Sequence, residues 1–272
     1  MSDSGILRFL YNTVPGRGIL KILVNPKVSV LAGTFLNSRL SALYVPHFVK
    51  KNNIDLTGCE KKKFDSFNDF FTRRRTCNIN AGDNDIISPC DGYLSIYRIK
   101  GGSFNIKNSS YTIKELLKSR KLADRFADGY CLIFRLEPVH YHRYVFITDA
   151  AIKCQRRIDG VLHCVRPVAF DKYPVYVENS REYTVMKGKE LGLSVQMEVG
   201  ALLVGKIHNH TGINEAVKGR EKGYFEFGGS TIVVLVENGR LKLLNELEKE
   251  CDTAVEIPVK LGDLIGKGCL GV

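Results

Sequence analysis

The amino-acid sequence predicts an α+β protein, with N-terminal amphipathic helices on a β-rich body of mainly antiparallel strands. Two textures separate along the chain. Over the first 75 residues Leu, Ile and Phe recur beside Lys and Arg at roughly helical spacing. From Asp85 onward the apolar residues come in short runs rich in β-branched and aromatic types. At 272 residues, 44% hydrophobic and 25% charged, the chain is long enough to bury a core and too apolar for extensive disorder.

The helical texture lies in ILRFLYNTV, GRGILKILV and KVSVLAGTFLNSRLSALYVPHFVKK, with breaks at Pro15-Gly16 and Pro26. Such helices either rest in a lipid headgroup layer or cap a core with their charges solvated, and a basic amphipathic stripe alone fits both. In DSFNDFFTRRR, residues 65–75, Asp65 or Ser66 is placed to cap a short helix with Phe67, Phe70 and Phe71 on one face. The three arginines that follow suit a phosphate contact or a solvated cluster. The chain therefore divides into a helical region, residues 1–75, and a β-rich body, residues 76–272.

In the body, GYLSIYRI, GYCLIFRL, YHRYVFI, YPVYVEN, LSVQMEVGALLVGKI, STIVVLVEN and AVEIPVKL read as strands punctuated by Gly, Asn and Asp. YTIKELLKSRKLADRFA, from Tyr111 to Ala127, reads as one helix. There is no tandem repeat, dinucleotide-binding fingerprint or P-loop.

Forty Lys and Arg against 29 Asp and Glu give a formal charge of +11, which favours anionic partners: nucleic acid, acidic lipid or a phosphorylated substrate. The basic-aromatic motifs of common RNA modules are missing, so nucleic acid is not expected. Eight cysteines at 59, 77, 90, 131, 154, 164, 251 and 269 form no CxxC pair, which points to reduced, mostly buried thiols. The N-terminus carries no signal-peptide pattern. The most apolar stretch, Ile19 to Leu36, is interrupted by Lys21, Pro26 and Lys27, so a spanning anchor is not expected.

The most informative string is GYFEFGGSTIVVLVENGR, residues 223–240. There Gly228-Gly229-Ser230 joins two strand-like runs, as a tight turn also would. Four further strings precede it in order: FNDFFTRR (67–74), SPCDGYLS (88–95), YHRY (141–144) and VGALLVGKI (199–207). Together these five resemble the phosphatidylserine decarboxylase family, from about residue 40 to the C-terminus. That family is pyruvoyl-dependent and made as a self-processing proenzyme.

The resemblance implies a specific chemistry. Ser230 would attack the Gly229 carbonyl, shifting the acyl group from nitrogen to oxygen. Elimination and hydrolysis would then leave a pyruvoyl group at position 230. The products are a β chain, 1–229, and an α chain, 230–272, that stay associated. Glycines at 228 and 229 let the backbone bend as other residues cannot. A serine hydroxyl needs a base, and a base needs an orienting group. Asp91 in SPCDG matches the family's aspartate, and His142 matches the first histidine of its Asp-Tyr-His-Arg-x-His pattern. Val145 stands where the second histidine would be, and His140 replaces the pattern's aspartate. Strand alternation would put His140 and His142 on one face, making His140 a substitute base. His142, with an ordinary near-neutral imidazole, would also supply the proton after decarboxylation.

Further implications concern partners and cofactor. The cofactor is the pyruvoyl group derived from Ser230, acting through a Schiff base, with neither pyridoxal phosphate nor metal; His208 and His210 lack a completing ligand set. The substrate is phosphatidylserine, converted to phosphatidylethanolamine and CO2. The basic N-terminal region would hold the protein peripherally on the cytoplasmic side of an anionic cell membrane. Two alternatives remain open: a family-related membrane-binding protein with impaired processing, or a decarboxylase of another serine-headed lipid. Homo-oligomerisation is left open.

Overall fold

The computed structural model describes residues 5–106, 109–202, 206–228 and 230–270. The N-terminal helices follow the predicted breaks. Helix α1, Gly5–Asn12, gives way to α2, Val14–Leu23, where Thr13 Oγ1 accepts the Gly16 N–H at 3.0 Å. A Cβ on Gly16 would sit 2.0 Å from the Phe9 carbonyl oxygen, so only glycine lets the two helices turn this closely. Asn25 caps α3, Pro26–Leu36, with Pro26 at its first position. Helices α4, Arg39–Ala42, and α5, Val45–Lys51, follow. Ser66, the second of the two candidate caps, starts α6, Phe67–Phe71, by accepting the Asp69 N–H at 3.0 Å. Among the described residues no single helix is long and apolar enough to cross a membrane. The pair α2 and α3 passes by length and composition but is bent by 70°.

The body begins with β1, Asp85–Ile87, β2, Gly92–Arg98, β3, Ser103–Ile106, and β4, Ser109–Thr112. Helices α7, Ile113–Leu117, and α8, Arg120–Ala123, come next. Strands β5, Tyr130–Leu136, β6, Arg143–Val145, and β7, Ala150–Ile158, lead to α9, Pro167–Phe170, and α10, Val175–Glu178. Then come β8, Arg181–Gly188, β9, Gly192–Val199, β10, Ile207–Asn209, β11, Glu215–Ala216, and β12, Glu221–Phe225. The chain ends with β13, Ser230–Val236, β14, Leu241–Leu243, α11, Asn245–Lys249, β15, Ile257–Val259, and β16, Leu264–Gly268.

An eight-stranded sheet in the order β11-β7-β8-β9-β13-β5-β2-β15 forms the central layer, and its strand pairs are antiparallel. One face carries Ile133, Val195, Met197, Val233 and Leu235 against α1, α2 and the helices of the body. The other carries Phe134, Ile232 and Val234 against the three-stranded sheets β10-β12-β6 and β1-β16-β14. Strand β13 is buried at every residue. The N-terminal region shares these cores: Leu10, Tyr11 and Leu20 join the helical face, and Phe227 of the body packs with Phe67, Phe70 and Phe71.

Three expectations change. Tyr111–Ala127 is not one helix, because Thr112 and Ser119 cap separate turns and Lys118 ends the first in the left-handed conformation, φ 49°. Tyr111 and Thr112 belong to β4. YPVYVEN is not a strand, because Val175 and Tyr176 are drawn as a helical turn into the core beside Phe170 and Tyr111. No disulfide joins any of the eight cysteines, all of them described residues, but only Cys90, Cys131 and Cys164 are buried.

Candidate active site

Strands β12 and β13 lie in different sheets, so the segment between them crosses from one layer to another rather than forming a hairpin turn. Backbone N–H groups pin its upstream side. Phe225 donates to the His142 carbonyl at 3.0 Å, Glu226 to the Lys206 carbonyl at 3.2 Å, and Phe227 to Asn68 Oδ1 at 3.2 Å. Downstream, Ser230 pairs with Leu136. Gly228 has φ 139°, a conformation open to glycine and strained for other residues. Gly229 lies outside the described residues.

Ser230 is buried and its Oγ has no hydrogen-bond partner among the described residues. Alternation puts it on the face of β13 shared by Ile232 and Val234, which meets the layer containing β6. His142 lies just ahead of β6, wholly buried, with its ring 3.9 Å from that of Phe71; Phe71 in turn packs on Phe227. Its Nδ1 donates to the His140 carbonyl at 2.9 Å, which leaves the lone pair on Nε2. Nε2 is buried without a partner among the described residues. The Gly228 carbonyl faces the ring closely enough to favour its charged form, yet no bond to Nε2 has hydrogen-bond geometry. Burial outweighs this and pushes the ring down to about 3; the bond to the His140 carbonyl also favours the charged form, while the charges of the His140 ring and Arg73 disfavour it. The ring is therefore neutral at pH 7. This corrects the near-neutral proton donor expected from an ordinary imidazole: His142 can give only a proton it has just received.

His140 and His142 are not strand neighbours. Both precede β6 in a turn where alternation does not apply. His140 Nδ1 accepts the Glu137 N–H at 2.9 Å and its ring packs edge-on against Tyr93. Burial lowers its pKa, while Glu137 and Asp91 act against that. Asp91, expected to orient the base, bonds elsewhere: Oδ1 accepts from Arg75 Nη2 at 2.8 Å and the Leu261 N–H at 2.9 Å. No described hydrogen bond joins it to either histidine. The group that orients His142 is thus the His140 carbonyl, with Asp91 behind His140.

The arginines of the 73–75 run divide. Arg73 is buried over Phe70, Arg74 is exposed, and Arg75 stacks on Tyr141 while pairing with Asp91. Only Arg74 resembles the solvated cluster expected. His208 and His210 each take a separate carboxylate at 2.7 Å, Glu226 and Glu221, and no metal-ligand group occurs among the described residues. Phe71, which packs on His142, and Phe227, which packs on Phe71, were readable only as helix-face and strand residues; their FNDFF and YFEF strings were the available signal.

Residues 67–267 match the family model described as phosphatidylserine decarboxylase. The chain belongs to the phosphatidylserine decarboxylase family. It is similar to phosphatidylserine decarboxylase proenzyme 2 of Clostridium acetobutylicum, 42% identical over 97% of this chain and 92% of the relative. It also resembles the phosphatidylserine decarboxylase proenzymes of Clostridium tetani, 37% identical over 98% and 93%, and Clostridium novyi, 36% identical over 98% and 94%. As a member of the family it is a decarboxylase, a carboxy-lyase. At the place of the family pattern's second histidine, Val145 is buried in β6, its N–H on the Pro89 carbonyl and its own carbonyl holding Gln196 Nε2.

Proposed function

We propose that this decarboxylase is made as a precursor, breaks its own Gly229–Ser230 bond and then converts phosphatidylserine to phosphatidylethanolamine and CO2. One observation carries the reading: a buried serine hydroxyl and the buried Nε2 of a neutral imidazole, neither with a hydrogen-bond partner among the described residues, flank a glycine junction whose two sides are anchored in different sheets. Ser230 Oγ passes its proton to His142 Nε2 and attacks the Gly229 carbonyl, so an ester replaces the amide. Loss of the α-proton at residue 230 expels the carboxylate of residue 229. Hydrolysis of the dehydroalanine left behind releases ammonia and yields the pyruvoyl group. That group supplies a ketone able to take up the electron pair freed as CO2 leaves. The His140 carbonyl holds the tautomer in which Nε2 is basic and steadies the imidazolium less strongly than a carboxylate would.

The same reading places the protein peripherally on the cytoplasmic face of an anionic membrane. Of the fifteen exposed large apolar residues described, eleven lie between Ile6 and Tyr44, among them Leu31 at 72% and Leu43 at 79% exposure. Between residues 5 and 54 stand Arg8, Arg17, Lys21, Lys27, Arg39, Lys50 and Lys51 and no acid. Each cation near an anionic surface contributes about 1 kcal/mol. Co-sedimentation with phosphatidylglycerol vesicles but not with phosphatidylcholine vesicles is expected; equal binding to both removes this part of the reading.

Val145 favours a second reading, a membrane-binding relative that does not process. A denaturing gel with intact mass separates the two. Wild type should give chains of residues 1–229 and 230–272, and Ser230→Ala should stay whole with activity lowered by about 10³-fold or more. A whole wild-type chain that decarboxylates overturns the pyruvoyl mechanism, and a whole inactive one establishes the second reading.

A further inference from the structure

A cavity of about 210 Å³ opens where β5 ends and β13 begins. The junction forms one side: Leu136, the pairing partner of Ser230, with Phe227 and Gly228. Val165 and Leu202 of the body and Leu7 of α1 add apolar wall. Two guanidinium groups border this space. Arg135 is engaged, with Glu256 accepting from Nε and Nη2 at 2.6 and 2.7 Å and Glu137 from Nη1 at 2.9 Å. Arg166, half-buried immediately before α9, has no side-chain hydrogen bond, ion pair or ring contact among the described residues.

A larger cavity of about 320 Å³ beneath α3 also holds two cations, but Lys206 there pairs with Glu226, and Arg157 with Asp159 and Glu182. Among the described cations lining these two cavities, Arg166 is therefore the one whose rigid fork of donors is open to an anion. Helix α1 supplies the second observation. Leu7 lines the cavity, and Ile6 and Phe9 on the same helix stand 73% and 43% exposed, so one short helix carries both cavity wall and exposed apolar side chains.

We propose that this cavity admits the lipid headgroup and that Arg166 binds its phosphodiester, setting how far the serine amine and carboxylate reach toward position 230. The inference rests on the phosphatidylserine reading and adds the residue that gauges the headgroup. The apolar wall from Leu7 outward receives the start of the diacylglycerol. A free amino acid would leave Arg166 without its anion, so the enzyme favours serine carried on a phosphodiester over serine alone.

Calorimetric titration of the purified protein with sn-glycero-3-phosphoethanolamine tests this, since that probe keeps the phosphodiester and has no carboxylate to lose. Arg166→Gln should weaken binding at least tenfold and Arg166→Lys by less, because a point charge is kept but the fork is not. In mixed micelles Arg166→Gln should raise KM for phosphatidylserine at least tenfold with kcat within threefold. Unchanged binding in Arg166→Gln overturns the proposal. So does equal loss in Gln and Lys variants with a lowered Tm, which marks a scaffold role. Inorganic phosphate binding as tightly as the probe also overturns it, since the site would then be a general anion site. A wild-type chain that neither splits nor decarboxylates sinks the functional reading, and the titration still decides the role of Arg166.

Discussion

Strand β13, downstream of the junction, is Ile, Val and Leu for most of its length and pairs along both edges, with β9 and β5. Strand β12, upstream, carries Glu221, Lys222 and Tyr224 and lies between two three-residue strands. Apolar burial stabilises β13 by roughly 1.5–3 kcal/mol per large side chain but has no direction. The contacts of β12 are directional. Lys222 Nζ bonds Glu198 and Asn209, both partners being fully buried in the ion pair, and Glu221 takes Arg143 and His210. Burial lowers the Lys222 pKa and raises that of Glu198, with each charge opposing the shift in the other. The difference teaches a division of labour: β13 keeps the serine in place, and β12 aims the segment and, through the Phe225 N–H, the turn bearing His142.

The largest expected effect breaks the aiming half. Lys222→Met leaves Glu198 buried and unpaired and should lower unfolding free energy by about 3–5 kcal/mol in denaturant titration. Adding Glu198→Leu should recover most of that loss. Scission should remain slow in the double variant, because the strand is stable again but no longer aligned. A double variant as unstable as the single one would show that the ion pair is not what holds β12.

Leu235→Ala sharpens the other half. It should lower stability by about 3 kcal/mol through loss of packing in the core, yet leave the scission rate within threefold under native conditions. A rate that falls with stability would mean that the two strands do not have separate tasks.

The smallest expected effect is on the pH profile. The proposed scission uses neutral His142, and a ring held near 3 stays neutral from pH 8 to pH 5, losing its base form only as pH falls toward 3. The rate should therefore vary by less than about twofold over that range. An unperturbed imidazole near 6.5 would slow it about 30-fold by pH 5.

Much of this was legible because its causes are local. Pro26 marks a break between helices by its own chemistry, and TIVVLVE has the apolar character of a buried strand. The broken Tyr111–Ala127 segment was harder, because Thr112 and Ser119 act as caps only once the turn at Lys118 is known. The carbonyl that orients His142 had no signal at all, since every residue type offers the same acceptor. Asp91 is a carboxylate at the expected position, yet Arg75, 16 residues earlier in the chain, decides which way it bonds. Arg166 is distinguished by the partners it lacks, which becomes visible only when the surrounding acids are located.

Burial of β13 between β9 and β5 has a consequence for the lifetime of the molecule. On the proposed self-processing, strands 9, 13 and 5 are tethered before scission, and refolding is then a first-order event. Once the bond at residue 229 is broken, the fragment from 230 onward still fills the middle of the sheet, but unfolding would release it into solution. Reassembly would then depend on concentration, and the new keto end would have no route back to a peptide bond. Endurance of the split protein would be governed by how slowly the sheet opens, a kinetic quantity, so that a thermal scan should be reversible for Ser230→Ala and irreversible for the matured form.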